Sequence, residues 1–202
     1  MNFWTRLERI SDERSVLRHP FYVRWMEGTL TRKELARYAE QYRHAVVALA
    51  CAAEHAARSP EAGADAPALA DHAREESEHI ALWDAFIEQV GGDPTAAPTQ
   101  QTEACVRAWA GDDDRPMLQT MTAMYAIESA QPAISQIKLA GLAEHYGIDS
   151  SPYFELHQRR DVDHAAQARE MIDARLAGTD EDALLMTANR VLEANWLLLD
   201  SV

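Results

Sequence analysis

Apolar residues recur every three or four positions through most of the chain, as in LARYAEQYRHAVVALA and HIALWDAFIEQV, and runs of strict apolar–polar alternation are nearly absent. This is the period of an amphipathic helix, not of a strand. The pattern predicts helices over about 2–18, 21–28, 32–59, 66–90, 98–110, 115–146, 151–177 and 180–200. The punctuation agrees with those bounds. Thr31 with Glu34 three residues later is a capping-box pair. Gly91-Gly92-Asp93-Pro94 and Gly147 are stops, Ser151-Pro152 is a start, and Thr179 is placed to cap the last helix ahead of Asp180, Glu181 and Asp182. Pro132 interrupts the long segment AMYAIESAQPAISQIKLAGL. Having no N–H, it frees the carbonyl of Glu128 and should kink the helix there.

The expected architecture is all-α: a single-domain bundle of about seven to eight helices spanning 1–202, joined by short connections. A chain of 202 residues that is 47% hydrophobic can bury one sizeable core. With 33 acidic against 19 basic residues the formal charge is −14, which argues against a nucleic-acid or anionic-membrane partner. The acids are dispersed except for Asp112-Asp113-Asp114, read as a solvated loop. No apolar run approaches about eighteen residues, and the start, MNFWTRLERISDE, is charged, so a soluble cytoplasmic protein is expected. Cys51 and Cys105 stand in apolar helical stretches without a CxxC partner and are expected to be buried free thiols.

Two stretches carry chemistry. HAREESEH (72–79) and HQRRDVDH (157–164) each place a histidine, an acid four residues on, and a second histidine three residues later. At about 100° per residue, seven positions return to within about 20° of the start, so each trio forms one stripe on one helix face. His72, Glu76 and His79 make one stripe; His157, Asp161 and His164 make the other. Imidazole and carboxylate suit iron, manganese or zinc, and facing helices of a bundle are a usual place to present them. Solvated faces or hydrogen-bonded core histidines would account for either stripe alone; two of them, using four of the eight histidines, point to a metal. Glu128 is the candidate for a further carboxylate, because Met124, Tyr125, Ile127 and Ala130 around it are apolar and a buried carboxylate needs a cation or donors. Glu54, near a helix end, is a weaker candidate.

HPFYVRWMEGTLTRKELARYAEQY, HIALWDAFIEQVGGDP, MYAIESAQPAISQIKLAGL and YFELHQRRDVDHA together resemble the haem-oxygenase-like diiron oxidase superfamily, in order and over nearly the whole chain, nearest to its CADD-like branch that forms para-aminobenzoate. The resemblance implies a TenA/PqqC-like bundle, two iron ions (or manganese, or a mixed pair) and dioxygen as co-substrate. It implies His79, Glu128, His157, Asp161 and His164 as ligands. The family's first glutamate falls on His72 here, unless Glu75 or Glu76 takes that role. It further implies a self-consuming reaction in which Tyr22 supplies the ring and Lys138 the amino group, making both catalytic. Lys138 is one of only two lysines, the other being Lys33, and an amine can do chemistry that a guanidinium cannot. Without the resemblance, Tyr22 reads equally as a core aromatic. Met121, Met124, Tyr125 and Ile127 are expected to line the site.

Other readings stay open at this point. One is an oxidase acting on a diffusible amine, amino acid or fatty acid. Another is a metal-free TenA/PqqC-like enzyme of thiamine or quinone-cofactor metabolism, which would leave both stripes unexplained. An interaction role without chemistry is a third. A homodimer is expected by analogy with the fold, together with an electron donor the sequence does not identify.

Overall fold

The structure, a computed structural model, describes residues 1–112 and 114–202; Asp113, in the acidic run read as a loop, lies outside the described residues. Nine α-helices occur among the described residues: α1 (Phe3–Glu13), α2 (Pro20–Met26), α3 (Arg32–Arg58), α4 (Ala66–Val90), α5 (Gln100–Ala110), α6 (Met117–Glu128), α7 (Gln131–Gly141), α8 (Pro152–Asp173) and α9 (Glu181–Leu199). Short 3₁₀ turns precede α2 and α4, and a π-helical turn, Leu142–Tyr146, extends α7. No helix among the described residues is long and apolar enough to cross a membrane.

Local chemistry explains most helix ends. Thr31 and Glu34 form the expected capping box, and Gly91 ends α4 at φ 78°, a conformation that costs glycine nothing. The last helix is capped differently from expectation. Asp180, not Thr179, accepts from the Asp182 and Ala183 amides, and Thr179 instead donates its hydroxyl to the Arg175 carbonyl. The first segment is also shorter than predicted, because α1 stops at Glu13 and residues Val16–Arg18 form only a 3₁₀ turn.

The predicted helix 115–146 is two helices. α6 ends at Glu128 and α7 begins at Gln131, with Pro132 in the first turn of α7, where a missing N–H is tolerated. The proline therefore produces a break of two residues, Ser129 and Ala130, and the chain changes course immediately after Glu128.

α3 packs along α4 and α5, α7 along α8, α9 against α1, α5 and α6, and α6 against α8. Alanines 45, 52, 53 and 56 on the buried side of α3 keep that side of the helix small. At Gly141 a Cβ would sit 2.7 Å from the Trp25 ring, so glycine is what lets α2 lie on α7. Indole N–H groups tie the layers: Trp83 donates to the Ala39 carbonyl at 2.8 Å and Trp109 to the Val191 carbonyl at 3.1 Å. Cys105 is buried as expected, but Cys51 is exposed. It lies on the outer side of α3, in a surface groove shared with α4; in so alanine-rich a helix, composition does not reveal which side faces out.

Candidate metal centre

α4, α6 and α8 point both predicted stripes and Glu128 at one buried place. His72, Glu76, His79, Glu128, His157, Asp161 and His164 are all buried, Glu128 to 1% exposure and Asp161 to 0%. Ten side-chain nitrogen and oxygen atoms of these seven residues have no hydrogen-bond partner among the described residues: His72 Nε2, both oxygens of Glu76, His79 Nδ1, both of Glu128, His157 Nε2, both of Asp161, and His164 Nδ1. Some approach closely without hydrogen-bonding geometry. His72 Nε2 is 3.0 Å from Glu128 Oε1, and His79 Nδ1 is 3.1 Å from Glu76 Oε1. Burying so many polar groups without donors is costly in a stable fold unless a cation satisfies them together. The donor set, neutral imidazole with carboxylate, fits iron, manganese or zinc.

The atoms fall into two groups. His72, Glu76, Glu128 and His164 each offer one ligand atom within 4.8 Å of the others, and so do Glu76, His79 and His157. Glu76 belongs to both groups, which is the position of a carboxylate able to bridge two ions. Asp161 belongs to neither, although its Oδ1 lies 3.6 Å from His164 Nδ1.

The sequence left open which of residues 72, 75 and 76 stands at the first carboxylate position. His72 and Glu76 both face the cluster. Glu75 faces the other way: it takes a two-pronged ion pair from Arg160 (2.7 and 2.8 Å) and lies 3.0 Å from His164 Nε2. That contact orients His164 so that Nδ1 faces the cluster, the usual job of an outer carboxylate on a liganding histidine. The carbonyl of Tyr153 does the same for His157, accepting from Nδ1 at 2.7 Å and leaving Nε2 free to ligate. Glu54 stays outside, paired with Arg58 on the surface.

Charge in the cluster is finely balanced. Burial lowers the His157 pKa, favouring the neutral imidazole a metal needs. Burial would also lower that of His72, but Glu128 beside it outweighs this and raises it to about 9. Burial opposes ionisation of Glu76, yet His79, His157 and His72 hold its carboxyl below the usual range. Burial pushes Asp161 up, against the pull of His164 and His157.

Next to the cluster lies an aromatic chamber holding the two residues singled out for catalysis. Tyr153 stacks on His157 with ring centres 3.9 Å apart and meets Trp83 at 4.7 Å. Beyond Trp83 is Lys138, 1% exposed, its Nζ 4.7–5.6 Å from the ring centres of Phe154, Tyr38, Tyr42, Trp83 and Tyr22. Its amine donates to the Tyr38 hydroxyl at 2.5 Å. Burial alone drives the Lys138 pKa well below the ordinary lysine range, which favours the neutral amine. Burial likewise raises the Tyr22 phenol, Tyr42 adds to this, and a hydrogen bond from Tyr38 opposes it. Tyr38 thus accepts from the Lys138 nitrogen and lies near the Tyr22 hydroxyl. Neither Tyr38 nor Tyr153 stood out in the sequence, because aromatic residues at helical spacing are indistinguishable from core until their neighbours are known.

Of the residues expected to line the site, Met121 and Met124 border, with His72 and His164, a space of about 10 Å³. Tyr125 packs instead against Trp4, ring centres 5.0 Å apart, and Ile127 faces a separate cavity at the α6–α7 break.

Residues 69–196 match the model of a family described as iron-containing redox enzymes, and the chain belongs to that family. A Nitrosomonas europaea protein named 4-aminobenzoate synthase is 34% identical, the match covering 99% of this chain and 90% of that protein. A Chlamydia trachomatis protein of the same name is 29% identical, over 100% of this chain and 92% of the other. Among solved structures, a TenA homologue from P. horikoshii OT3 superposes with a TM-score of 0.80 at 16% identity, covering 99% of this chain and 97% of that one. The fold is thus the haem-oxygenase-like, TenA-type bundle expected from the sequence.

Proposed function

We propose that the chain forms 4-aminobenzoate from its own side chains, using a dinuclear metal centre held by His72, Glu76, His79, Glu128, His157, Asp161 and His164. Bound there, iron would supply the activation of dioxygen to an oxidant that protein side chains lack. The observation that carries the reading is the fully buried amine of Lys138 beside the Tyr22 ring, separated from a cluster of unpartnered ligand atoms by the Tyr153 and Trp83 rings. A neutral amine is a nucleophile, and an ammonium is not.

The two residues supply the carbon skeleton and the nitrogen of the product, and dioxygen supplies the two carboxyl oxygens. The ring and Cβ of one tyrosine supply the seven carbons of 4-aminobenzoate. The Cα–Cβ bond breaks, Cα taking a hydrogen to leave a glycine, and Cβ is oxidised to the carboxyl carbon. Lys138 Nζ replaces the phenol oxygen, its bond to Cε breaking to leave an aldehyde at Cε, and the phenol oxygen leaves as water. The balance is two dioxygen molecules, two electrons and two protons consumed and two waters released, the electrons coming from an external reductant. Tyr38 positions both partners and carries a proton between phenol and amine. Tyr153, Trp83 and Phe154 keep water out of the chamber.

Space favours an internal substrate over a diffusible one. The cavity bordered by His72 and His164 measures about 10 Å³, room for about one water or a diatomic gas and less than an amino acid or fatty acid would need beside the ligand atoms. The metal-free alternative leaves the ten unpartnered buried atoms without purpose.

The test is a single-turnover experiment. The purified chain is loaded with iron(II) without air, given a reductant and oxygen, and assayed for 4-aminobenzoate. The expected yield never exceeds one product per chain, and Tyr22→Phe and Lys138→Met give none. Repeated turnover, or product from either variant, would return the diffusible-substrate reading.

A further inference from the structure

A second cavity, of about 240 Å³, lies where the end of α1 and the following 3₁₀ turn meet the α6–α7 break and α9. It is slightly below the ~300–1,000 Å³ of a drug-sized pocket and suits one monocyclic molecule. Val16, Leu17, Ile127, Ala130, Ile134 and Leu192 make its walls apolar. Polar side chains break that lining at both ends, Asn195 at one and Arg14 with Ser11, Asp12 and Ser15 at the other.

At the inner end is Asn195, only 6% exposed, whose Oδ1 has no hydrogen-bond partner. A buried acceptor is expected to find a donor, and Asn195 Oδ1 has none within hydrogen-bonding geometry among the described residues. At the mouth is Arg14. Its Nε donates to Asn189 Oδ1 at 3.0 Å, and its Nη2 lies 3.5 Å from Glu193 Oε1, which leaves other guanidinium N–H groups for an anion. Ser11 and Ser15 stand at the same rim, as does Asp12, whose charge disfavours a dianion. The cavity therefore asks for an aromatic ring with an N–H or O–H donor at one end and a single negative charge at the other.

Its inner end also adjoins the reaction chamber. Asn195 lies near the Tyr42 hydroxyl, which accepts from Gln131 Nε2 at 3.4 Å. The Tyr42 ring in turn is 5.0 Å from Lys138 Nζ. One side chain separates the cavity from the place where the product would form.

We infer that this cavity is a binding site for para-substituted aromatic amines and holds 4-aminobenzoate on its way out, its amino group donating to Asn195 Oδ1 and its carboxylate facing Arg14. The identity of the ligand rests on the proposed function; the polarity of the site does not.

Calorimetric titration of 4-aminobenzoate into the metal-free full-length chain tests it. Saturable binding of one molecule per chain is expected, with benzoate, which lacks the donor, bound at least about tenfold more weakly, the equivalent of one hydrogen bond. Asn195→Leu should abolish that discrimination. Ala133→Phe, at the exposed rim where folding is not at stake, should fill the cavity and remove binding altogether. Absence of saturable binding, equal binding of benzoate, or unchanged binding in Ala133→Phe would each overturn the assignment. The two failures are distinguishable: if the proposed reaction is wrong, no product appears after iron and oxygen although added 4-aminobenzoate still binds; if this site is wrong, product forms without binding here.

Discussion

Replacing Lys138 by Met should abolish product while making the protein more stable. Lys138 is 1% exposed, with a single hydrogen bond, to Tyr38. Burying a polar group with so little compensation costs about 1–3 kcal/mol, and the lost hydrogen bond returns about 1 kcal/mol of that, so the variant gains up to about 2 kcal/mol from these two terms. Methionine conserves the volume, and its sulfur suits an aromatic box. A third term depends on pH. The folded-state pKa is lowered by burial below the ordinary 10.5, so the unfolded chain binds more protons than the folded one. Wild-type stability therefore rises with pH until the unfolded lysine itself deprotonates. The advantage of the variant should be largest at pH 6 and shrink as the pH approaches 10. In thermal denaturation each 1 kcal/mol moves the midpoint by about 2–4 °C for a chain of this size. A variant less stable than wild type, or a difference that does not change with pH, would mean that Lys138 is a structural cation, and the argument for a retained reactive amine would fail.

Other expectations follow from the same geometry. Glu76→Ala removes the only carboxylate common to both ligand groups, so elemental analysis should find fewer than two metals per chain; full occupancy would refute the bridging role. Glu75→Ala should weaken metal binding about 10–100-fold in a chelator competition, with Glu75→Gln intermediate because it keeps an acceptor for His164; wild-type affinity in both would show that the outer carboxylate is idle. Glu34 is held near pKa 2, against an ordinary 4.5, by the Arg24 ion pair and the Thr31 cap. Its stabilisation is complete above pH 4.5 and is lost as the pH falls through about 2. Urea melts of Glu34→Gln should accordingly show a deficit at pH 7 that closes in acid, and a deficit constant with pH would contradict this.

The metal ligands were legible because a stripe at positions 0, 4 and 7 stays on one face whatever the helix packs against, and because Glu128 is a lone acid among apolar neighbours. The same spacing put Glu76 on the His72/His79 face. Glu75, about 100° away on α4, carried no signal, because only the packing against α8 gives it Arg160 and His164 as partners. The break after Glu128 was visible in Pro132, but the extent of the break depends on α7 starting afresh rather than bending. Thr179 and Asp180 are both competent caps, and only the path of the chain leaving α8 chooses between them. Lys138 was conspicuous by composition alone. Its setting was not, since Tyr38, Tyr42, Trp83 and Phe154 read as ordinary core. Asn195 carried no signal, because its significance lies in a missing partner.

The most direct test of the account is an isotope experiment on the protein itself. Chain grown with nitrogen-labelled lysine and carbon-labelled tyrosine is loaded with iron(II), reduced and oxygenated, and the product and the remaining peptides are weighed by mass spectrometry. The account predicts 4-aminobenzoate carrying both labels, with matching losses at Tyr22 and Lys138 and nowhere else. Unlabelled product, or labelled product from a chain whose peptides at both positions are intact, would contradict it.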